Sequence, residues 1–394
     1  MSSGLSHLTH LECARCGKRH EAQVLQGRCD CGGTLLARYD LSGIDLSTAR
    51  SRDPGMWRYR ELLPVAGEPV SLGEPETPLL YMRALSERWG VETWLKDDGP
   101  LPSGTFKARG AAAGVSRAME LGVKAIAMPT AGNAGGAWAL YCARAGIELT
   151  VVMARTAPES NRIEAEVAGA IVELVDGSIA DAGRRAKEIA TERGAFFAAT
   201  FFEPYRLEGK KSAWLEVFDR AGESSAPDEQ RMKLPRTLVI PVGGGVAAIA
   251  AAKAAAEIAE LGWVDEEPAL LVGVQAEDCA PIVRAFEQGD EEVAAWERPT
   301  TTIAAGLRVP APAEGALVLD RVRASGGSMQ AVAERDIRLA VHHLAATEGV
   351  FACPEGAATV AAADRLARDG ALEGPVVLYN TGSGTKYIDV LGEG

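Results

Sequence analysis

The sequence predicts an α/β protein with two parallel-sheet domains and a small cysteine-bearing module ahead of them. Three observations carry this. From residue 78 onward, short apolar runs alternate with helical segments of roughly a dozen residues, the pattern of parallel strands joined by helical crossovers. Small-residue loops follow several of those runs, where open α/β sheets hold their ligands. Four of the seven cysteines crowd the first 31 residues.

The 394 residues suffice for two or three domains at about 100–200 residues each. With 47% hydrophobic residues, a large core can be filled. No apolar run approaches the ~20 residues of a membrane span. The opening residues lack the basic-then-apolar order of a signal peptide. A soluble cytoplasmic protein with no membrane partner is expected. The net charge of −13 opposes non-specific nucleic-acid binding, so an anionic ligand needs a local cluster of cations. Cys142, Cys279 and Cys353 sit in apolar surroundings and are expected as buried, inert thiols. The odd count and the scatter argue against a disulfide framework.

In chain order, Cys13-Ala14-Arg15-Cys16-Gly17 and Cys29-Asp30-Cys31-Gly32-Gly33 come first. Two cysteine pairs, each followed by glycine, suit a closed tetrahedral zinc site with Cys13, Cys16, Cys29 and Cys31 as ligands. The alternative is a ribbon that keeps its shape without metal, since the second pair has one intervening residue rather than two. His20 is expected at the surface. Four protein ligands leave no open position, so no catalysis is expected there. Residues 41–75 read as an arm over the main body, anchored by burial around Met56-Trp57-Arg58-Tyr59-Arg60. Strands are expected at 93–96, 124–128, 149–153, 171–174, 195–198, 237–242, 270–275 and 376–379. Helices are expected at 111–121, 134–145, 163–168, 180–192, 213–220, 246–261, 333–348 and 357–367. Residues 219–233 read as a polar surface loop.

Lys107 follows a small-residue turn, Pro102-Ser103-Gly104-Thr105-Phe106, and opens an alanine-rich helix. A helix N-terminus disfavours a second positive charge, which gives this amine reason to be neutral and nucleophilic. Three loops add to it. Pro129-Thr130-Ala131-Gly132-Asn133-Ala134-Gly135-Gly136 lies between a strand and a helix, and its N–H groups suit a carboxylate. Pro241-Val242-Gly243-Gly244-Gly245-Val246-Ala247 suits a phosphate but is neither a Walker loop nor a dinucleotide fingerprint. Tyr379-Asn380-Thr381-Gly382-Ser383-Gly384-Thr385 follows the last strand. Together they point to one phosphate-bearing cofactor.

The order SGTFKARG, TAGNAGG, PVGGG, NTGSGTK resembles the fold-type II pyridoxal-phosphate enzymes, across essentially residues 62–387. The resemblance implies a large domain from residues 76–111 and 205–394 and a small one from 112–204, behind a zinc-ribbon-like module (1–40) and the arm. It implies that Lys107 joins pyridoxal 5'-phosphate through its amine and later shuttles protons, with Phe106 beside the ring. Asn133 would donate to the phenolic oxygen. Gly243, Gly244, Gly245, Val246 and Ala247 would cradle the phosphate, and Thr381 would face the pyridine nitrogen. Thr130, Ala131, Gly132, Asn133 and Ala134 would take the substrate carboxylate. Relatives of this fold are usually homodimers.

Two stretches are similar to threonine synthases: the cysteine ribbon, and Glu203-Pro204-Tyr205-Arg206-Leu207-Glu208-Gly209-Lys210-Lys211, which looks like an NPYRLEGQK-type segment whose arginine meets substrate phosphate. Lys96 matches a second phosphate-binding position. Independently, a dianionic substrate of an acidic protein needs such cations, and arginine binds phosphate bidentately. The bland reading of Arg206 is a solvated helix-start charge or a pair with Glu208. The implied reaction takes O-phospho-L-homoserine and water to L-threonine and phosphate. An ammonia-lyase acting on threonine, serine or diaminopropionate, or a non-catalytic zinc-ribbon regulatory protein, are the alternatives; Lys107 argues against the latter. The sequence departs from the family pattern at Ser103, Thr105, Ala108, Ala131 and Ala134, at Glu203 where asparagine is usual, and in the lack of asparagine between Gly243 and Ala247.

Overall fold

The structure is a computed structural model that describes residues 6–130, 132–225, 231–264 and 268–392. The chain divides into two units, Met1–Pro75 with Phe106–Ser212 and Glu76–Thr105 with Ala213–Gly394. The first unit opens with β1 (Leu8–Cys13), β2 (Arg19–Glu21), β3 (Leu35–Tyr39) and α1 (Leu46–Arg50). The second contributes β4 (Leu79–Tyr81), α2 (Arg83–Trp89) and β5 (Thr93–Asp97). The first resumes with α3 (Lys107–Glu120), β6 (Ala125–Pro129), α4 (Ala134–Ala145), β7 (Glu148–Ala154), α5 (Glu159–Val167), β8 (Ile171–Val175), α6 (Ile179–Arg193) and β9 (Phe196–Phe197). The third division point falls inside α7 (Tyr205–Ser225). The second unit then completes itself with β10 (Thr237–Pro241), α8 (Val246–Glu260), β11 (Leu270–Ala276), α9 (Pro281–Gln288), α10 (Gly315–Ala324), β12 (Ser328–Val332), α11 (Glu334–Glu348), α12 (Pro354–Arg368), β13 (Val376–Asn380) and α13 (Ile388–Leu391).

The first unit holds an antiparallel ribbon, β2-β1-β3, and a parallel sheet ordered β8-β7-β6-β9. The second holds a six-stranded sheet ordered β12-β11-β10-β13-β5-β4, parallel except where β4 meets β5. The expected parallel α/β architecture is present. β10 and β13 sit at the centre of the larger sheet, and every residue of both is buried. Burial on both faces is why they read as continuous apolar runs rather than alternating ones. Between them the chain reverses its direction across the sheet, the position at which such sheets bind ligands.

Helix chemistry follows burial. In α6, Ser178 and Asp181 form a reciprocal capping box, while Ala182, Ala186, Ile189 and Ala190 bury one stripe against Ala127 and Val152. By contrast, α3 is buried continuously over residues 108–118, and only small residues let neighbours approach it on all sides. Met56 and Tyr59 of the arm are buried as expected, and the Trp57 indole donates to Glu74 at 2.9 Å. The surface loop expected from residue 219 is corrected: α7 continues to Ser225, and Asp219 is only 2% exposed. The polar pattern there belongs to the last turns of this helix, where Arg220 is exposed; residues 226–230 of the expected loop lie outside the described residues.

Candidate active site

In the first unit, β6 and β9 are parallel neighbours, so their carboxyl ends deliver two segments side by side. One is the turn into α4. Thr130 is buried; its hydroxyl donates to the Gly132 carbonyl at 3.1 Å and accepts from the Gly132 N–H at 3.2 Å. Asn133 is the residue before α4 and Ala134 its first. Ala131 lies outside the described residues. A Cβ on Gly135 would stand 2.8 Å from Thr130 Cγ2, and one on Gly136 2.2 Å from the Glu164 carboxyl carbon, so a side chain at either position would displace a neighbouring side chain.

The other segment leads into α7. Arg206 is 5% exposed, not solvated. Its Nε bonds Glu203, its Nη1 donates to Thr200 Oγ1 at 3.0 Å, and its Nη2 to the Ala198 carbonyl at 2.7 Å. Its guanidinium lies 4.9 Å from the Trp138 ring. The second Glu203 oxygen accepts from the N–H groups of Tyr205 (2.9 Å) and Arg206 (3.1 Å), which caps α7. Burial raises the Glu203 carboxyl above its usual range, against the pull of Arg206. The alternative pairing with Glu208 is not formed, because Glu208 accepts from Lys211 at 2.8 Å and from the Tyr39 hydroxyl at 3.0 Å.

Lys107 is the first residue of α3 and Phe106 its N-cap. α3 and α7 meet through glycine: a Cβ on Gly209 would stand 2.0 Å from the Arg109 carbonyl, and one on Gly110 3.1 Å from the Arg206 carbonyl. This approach brings two amines to one ring. Lys107 Nζ lies 4.1 Å from the Phe106 centroid, and Lys210 Nζ 4.4 Å from it. Lys210 is 5% exposed, and no hydrogen bond or ion pair reaches it among the described residues. Burial, then the charges of Lys107 and Arg206, push its amine well below the usual lysine range, with Glu203 pulling the other way.

In the second unit, β10 runs into Gly243, Gly244 and Gly245 and then α8, which begins Val246-Ala247. A Cβ on Gly243 would stand 2.1 Å from the Gly306 carbonyl. Gly245 has φ +90°, and its Cβ would meet Val318 at 2.1 Å, so backbone and space both require glycine. No side chain caps α8 among the described residues. Its first N–H groups face the loop and suit an anion. β13 pairs with β10, which sets Thr381 beside that loop. Thr381 is buried, with its hydroxyl 3.5 Å from Cys353 Sγ and no carboxylate hydrogen-bonded to it among the described residues. Cys353 also caps α12, and burial raises its thiol, in line with an inert cysteine.

Lys96 corrects an expectation. Its side chain is 1% exposed, and Nζ donates to Glu216 at 2.6 Å and to the Thr77 carbonyl at 2.7 Å. The Thr77 hydroxyl bonds Asp98 at 2.7 Å, and Asp98 accepts from Tyr379 at 2.7 Å. Lys96 thus belongs to a buried polar network beneath the end of β13. It is buried because β5 is an interior strand and Glu216 on α7 takes its charge.

At the ribbon, the Sγ atoms of Cys13, Cys16, Cys29 and Cys31 all lie within 4.8 Å of one another. Individual separations are 3.4 Å (Cys13–Cys31), 3.7 Å (Cys16–Cys29) and 3.5 Å (Cys16–Cys31). Burial raises the Cys13 thiol, but backbone N–H groups of Cys16 and Arg15 and the neighbouring thiols outweigh it and bring it to about 7. A Cβ on Gly33 would stand 2.6 Å from Cys13 Sγ, so the second turn needs glycine despite its shortened spacing.

The profile of the family described as pyridoxal-phosphate dependent enzyme matches residues 70–382. The chain belongs to this family. The enzyme is 33% identical over 387 residues to the threonine synthase of Methanocaldococcus jannaschii, covering 96% of this chain and 93% of that one. It is 32% identical over 380 residues to the threonine synthase of Methanosarcina acetivorans, covering 95% and 91%. Among solved structures it is similar to a threonine deaminase from T.th., with TM-score 0.66, 25% identity, and 78% of this chain and 92% of that one covered. The fold is shared with the diaminopropionate ammonia lyase of Escherichia coli, with TM-score 0.68, 17% identity, and 82% and 89% covered.

Three residues of this enzyme escape the sequence reading. Glu203, noted there only as a departure, neutralises Arg206; its spacing three before Arg206 is a usable signal. Lys210 stands four residues after Arg206, on the same helix face, and that spacing could have singled it out. Glu216, the partner of Lys96, leaves no local signal.

Proposed function

We propose that this enzyme converts O-phospho-L-homoserine and water to L-threonine and phosphate. The observation that carries the reading is the cationic cluster of Arg206 and Lys210 against the helix that Lys107 opens, which suits an amino acid with a phosphate tail. Near full-length similarity to threonine synthases, ribbon included, supports it.

The donor set fits pyridoxal 5'-phosphate: residues 243 and 245 exclude side chains, the start of α8 offers backbone N–H groups, and Thr381 is a neutral hydroxyl. Lys107 would hold the cofactor through its amine, with Phe106 beside it and Asn133 donating to its phenolic oxygen. Gly243, Gly244, Gly245, Val246 and Ala247 would take its phosphate. When bound, the cofactor supplies an electron sink for charge developing at the substrate Cα. Lys107 removes the α-proton as general base and returns protons later. Thr130, Gly132, Asn133 and Ala134, with Ala131, hold the substrate carboxylate through the turn before α4. Arg206 would stand beside the phosphate tail. Loss of a Cβ proton would accompany departure of phosphate from Cγ; a proton returned to Cγ makes the methyl group, water adds its hydroxyl at Cβ, and a last proton returns to Cα.

Incubating the cofactor-loaded enzyme with O-phospho-L-homoserine tests this. Inorganic phosphate and L-threonine in equal amounts are expected. Release of ammonia and a keto acid from threonine, serine or diaminopropionate, with no phosphate released from phosphohomoserine, would overturn it. The ammonia-lyase reading has one observation in its favour: Glu203 already balances Arg206, so that cation is not left for a substrate.

The cysteine cluster is read as a closed structural zinc site. Four sulfurs about 2.3 Å from a zinc ion stand about 3.8 Å apart, close to the separations seen. Metal analysis of the purified chain should find about one zinc per chain, and none after replacing Cys13 and Cys31 by serine. A cytoplasmic homodimer completes the reading. No helix among the described residues is long and apolar enough to cross a membrane.

A further inference from the structure

We propose that Lys210, rather than Arg206, is the cation that selects the substrate's phosphate. The proposal rests on the threonine-synthase reading and deepens it.

The argument begins with which cations are already matched. Arg206 gives its three guanidinium nitrogens to Glu203, Thr200 and Ala198, and its face to Trp138. Lys96 is held by Glu216 and Thr77. Both Glu203 oxygens are engaged, by Arg206 and by the N–H groups at the start of α7. Lys210 has none of this. It is 5% exposed, and the Phe106 ring is its contact for charge. A ring face offsets only part of the cost of burying an ammonium. An ammonium in that position is completed by an anion from outside the chain.

Position narrows the anion. Lys210 Nζ and Lys107 Nζ share the Phe106 ring, so the two amines stand no more than 8.5 Å apart, within the span of one amino acid with a phosphate tail. A substrate whose amino-acid end reacts at Lys107 reaches Lys210 with its tail. Burial, Lys107 and Arg206 all weigh against a proton on Lys210; a phosphate dianion reverses that balance and gains charge-assisted hydrogen bonds from up to three N–H donors. Glu203 then has a second purpose. By neutralising Arg206 it leaves Lys210 as the cation of the cluster that the phosphate meets.

Two ligands and one substitution test this on the cofactor-loaded enzyme. The ligands are the phosphonate isostere of O-phospho-L-homoserine, with CH2 in place of the ester oxygen, and the same amino acid without the phosphonate. Binding is read by calorimetry, apart from turnover. Lys210→Gln should weaken the phosphonate by roughly 10- to 100-fold and leave the plain amino acid within about twofold. Its KM for phosphohomoserine should rise by a similar factor, with kcat less affected. Lys210→Arg, which keeps the charge, should restore part of the phosphonate affinity. Equal weakening of both ligands would assign Lys210 to Lys107 or to the scaffold and overturn the proposal, as would a phosphonate preference that survives Lys210→Gln. If the wild-type enzyme itself shows no phosphonate preference, the threonine-synthase reading falls with it. Unchanged or raised thermal stability of Lys210→Gln separates lost binding from lost folding.

Discussion

The two units each bury lysine and glutamate, and they do so differently. In the second unit, Lys96 and Glu216 form a closed pair at 2.6 Å, 1% and 2% exposed, inside a network that runs through Thr77, Asp98 and Tyr379. In the first, Lys211 and Glu208 close in the same way at 2.8 Å, but Glu203 satisfies Arg206 while Lys210, on the same helix face, is left with an aromatic ring. The first arrangement is complete without a ligand. The second is not. A buried cation indicates a binding site only when the chain has not already matched its charge.

Substitutions sharpen the contrast. The largest effect is expected at Glu216→Gln, which removes the carboxylate charge facing Lys96; loss of about 3–5 kcal/mol is expected in urea unfolding. The double variant with Lys96→Met should recover most of it, since the cost lies in the orphaned charge rather than in the pair. Glu203→Gln should cost less, about 2 kcal/mol, because Thr200 and the Ala198 carbonyl still hold Arg206. It should also strengthen phosphonate binding, by unmasking a second cation. A weaker phosphonate complex would show that Glu203 positions the site rather than restrains it.

Lys210→Met carries the opposite sign. Removing an unmatched buried amine should stabilise the ligand-free protein by about 1 kcal/mol at pH 7. The smallest signal is the pH slope. Lys210 has a folded pKa below its ordinary 10.5, so the unfolded chain binds more protons over the interval between those two values. Wild-type stability should therefore rise with pH across that interval, and Lys210→Met should flatten this part of the curve. A slope unchanged by the substitution would place a counter-ion beside Lys210.

Much of the fold is legible because the central strands are buried on both faces. β10 and β13 read directly as apolar runs, and the loops after them as glycine turns. The short edge strand β12 mixes buried and half-buried positions, and α9 is a short helix; neither has a period long enough to read. Sequence alone ends α7 at residue 220 because polar residues suggest solvent, whereas Asp219 is buried. At the site, residue types can be read but not their charge balance. Glu203 and Lys210 lie within one turn or so of Arg206 and are in principle visible. Glu216 lies 120 positions from Lys96, and only the fold joins them.

The absence of a side chain at residue 209 has a consequence for how such a protein could change. Because α7 rests there directly on the main chain of α3, the spacing of the two helices that carry the amines is set by backbone contact and leaves little room to drift. New preferences for the tail of the substrate would then arise by respelling positions 203, 206 and 210, with the helices unmoved.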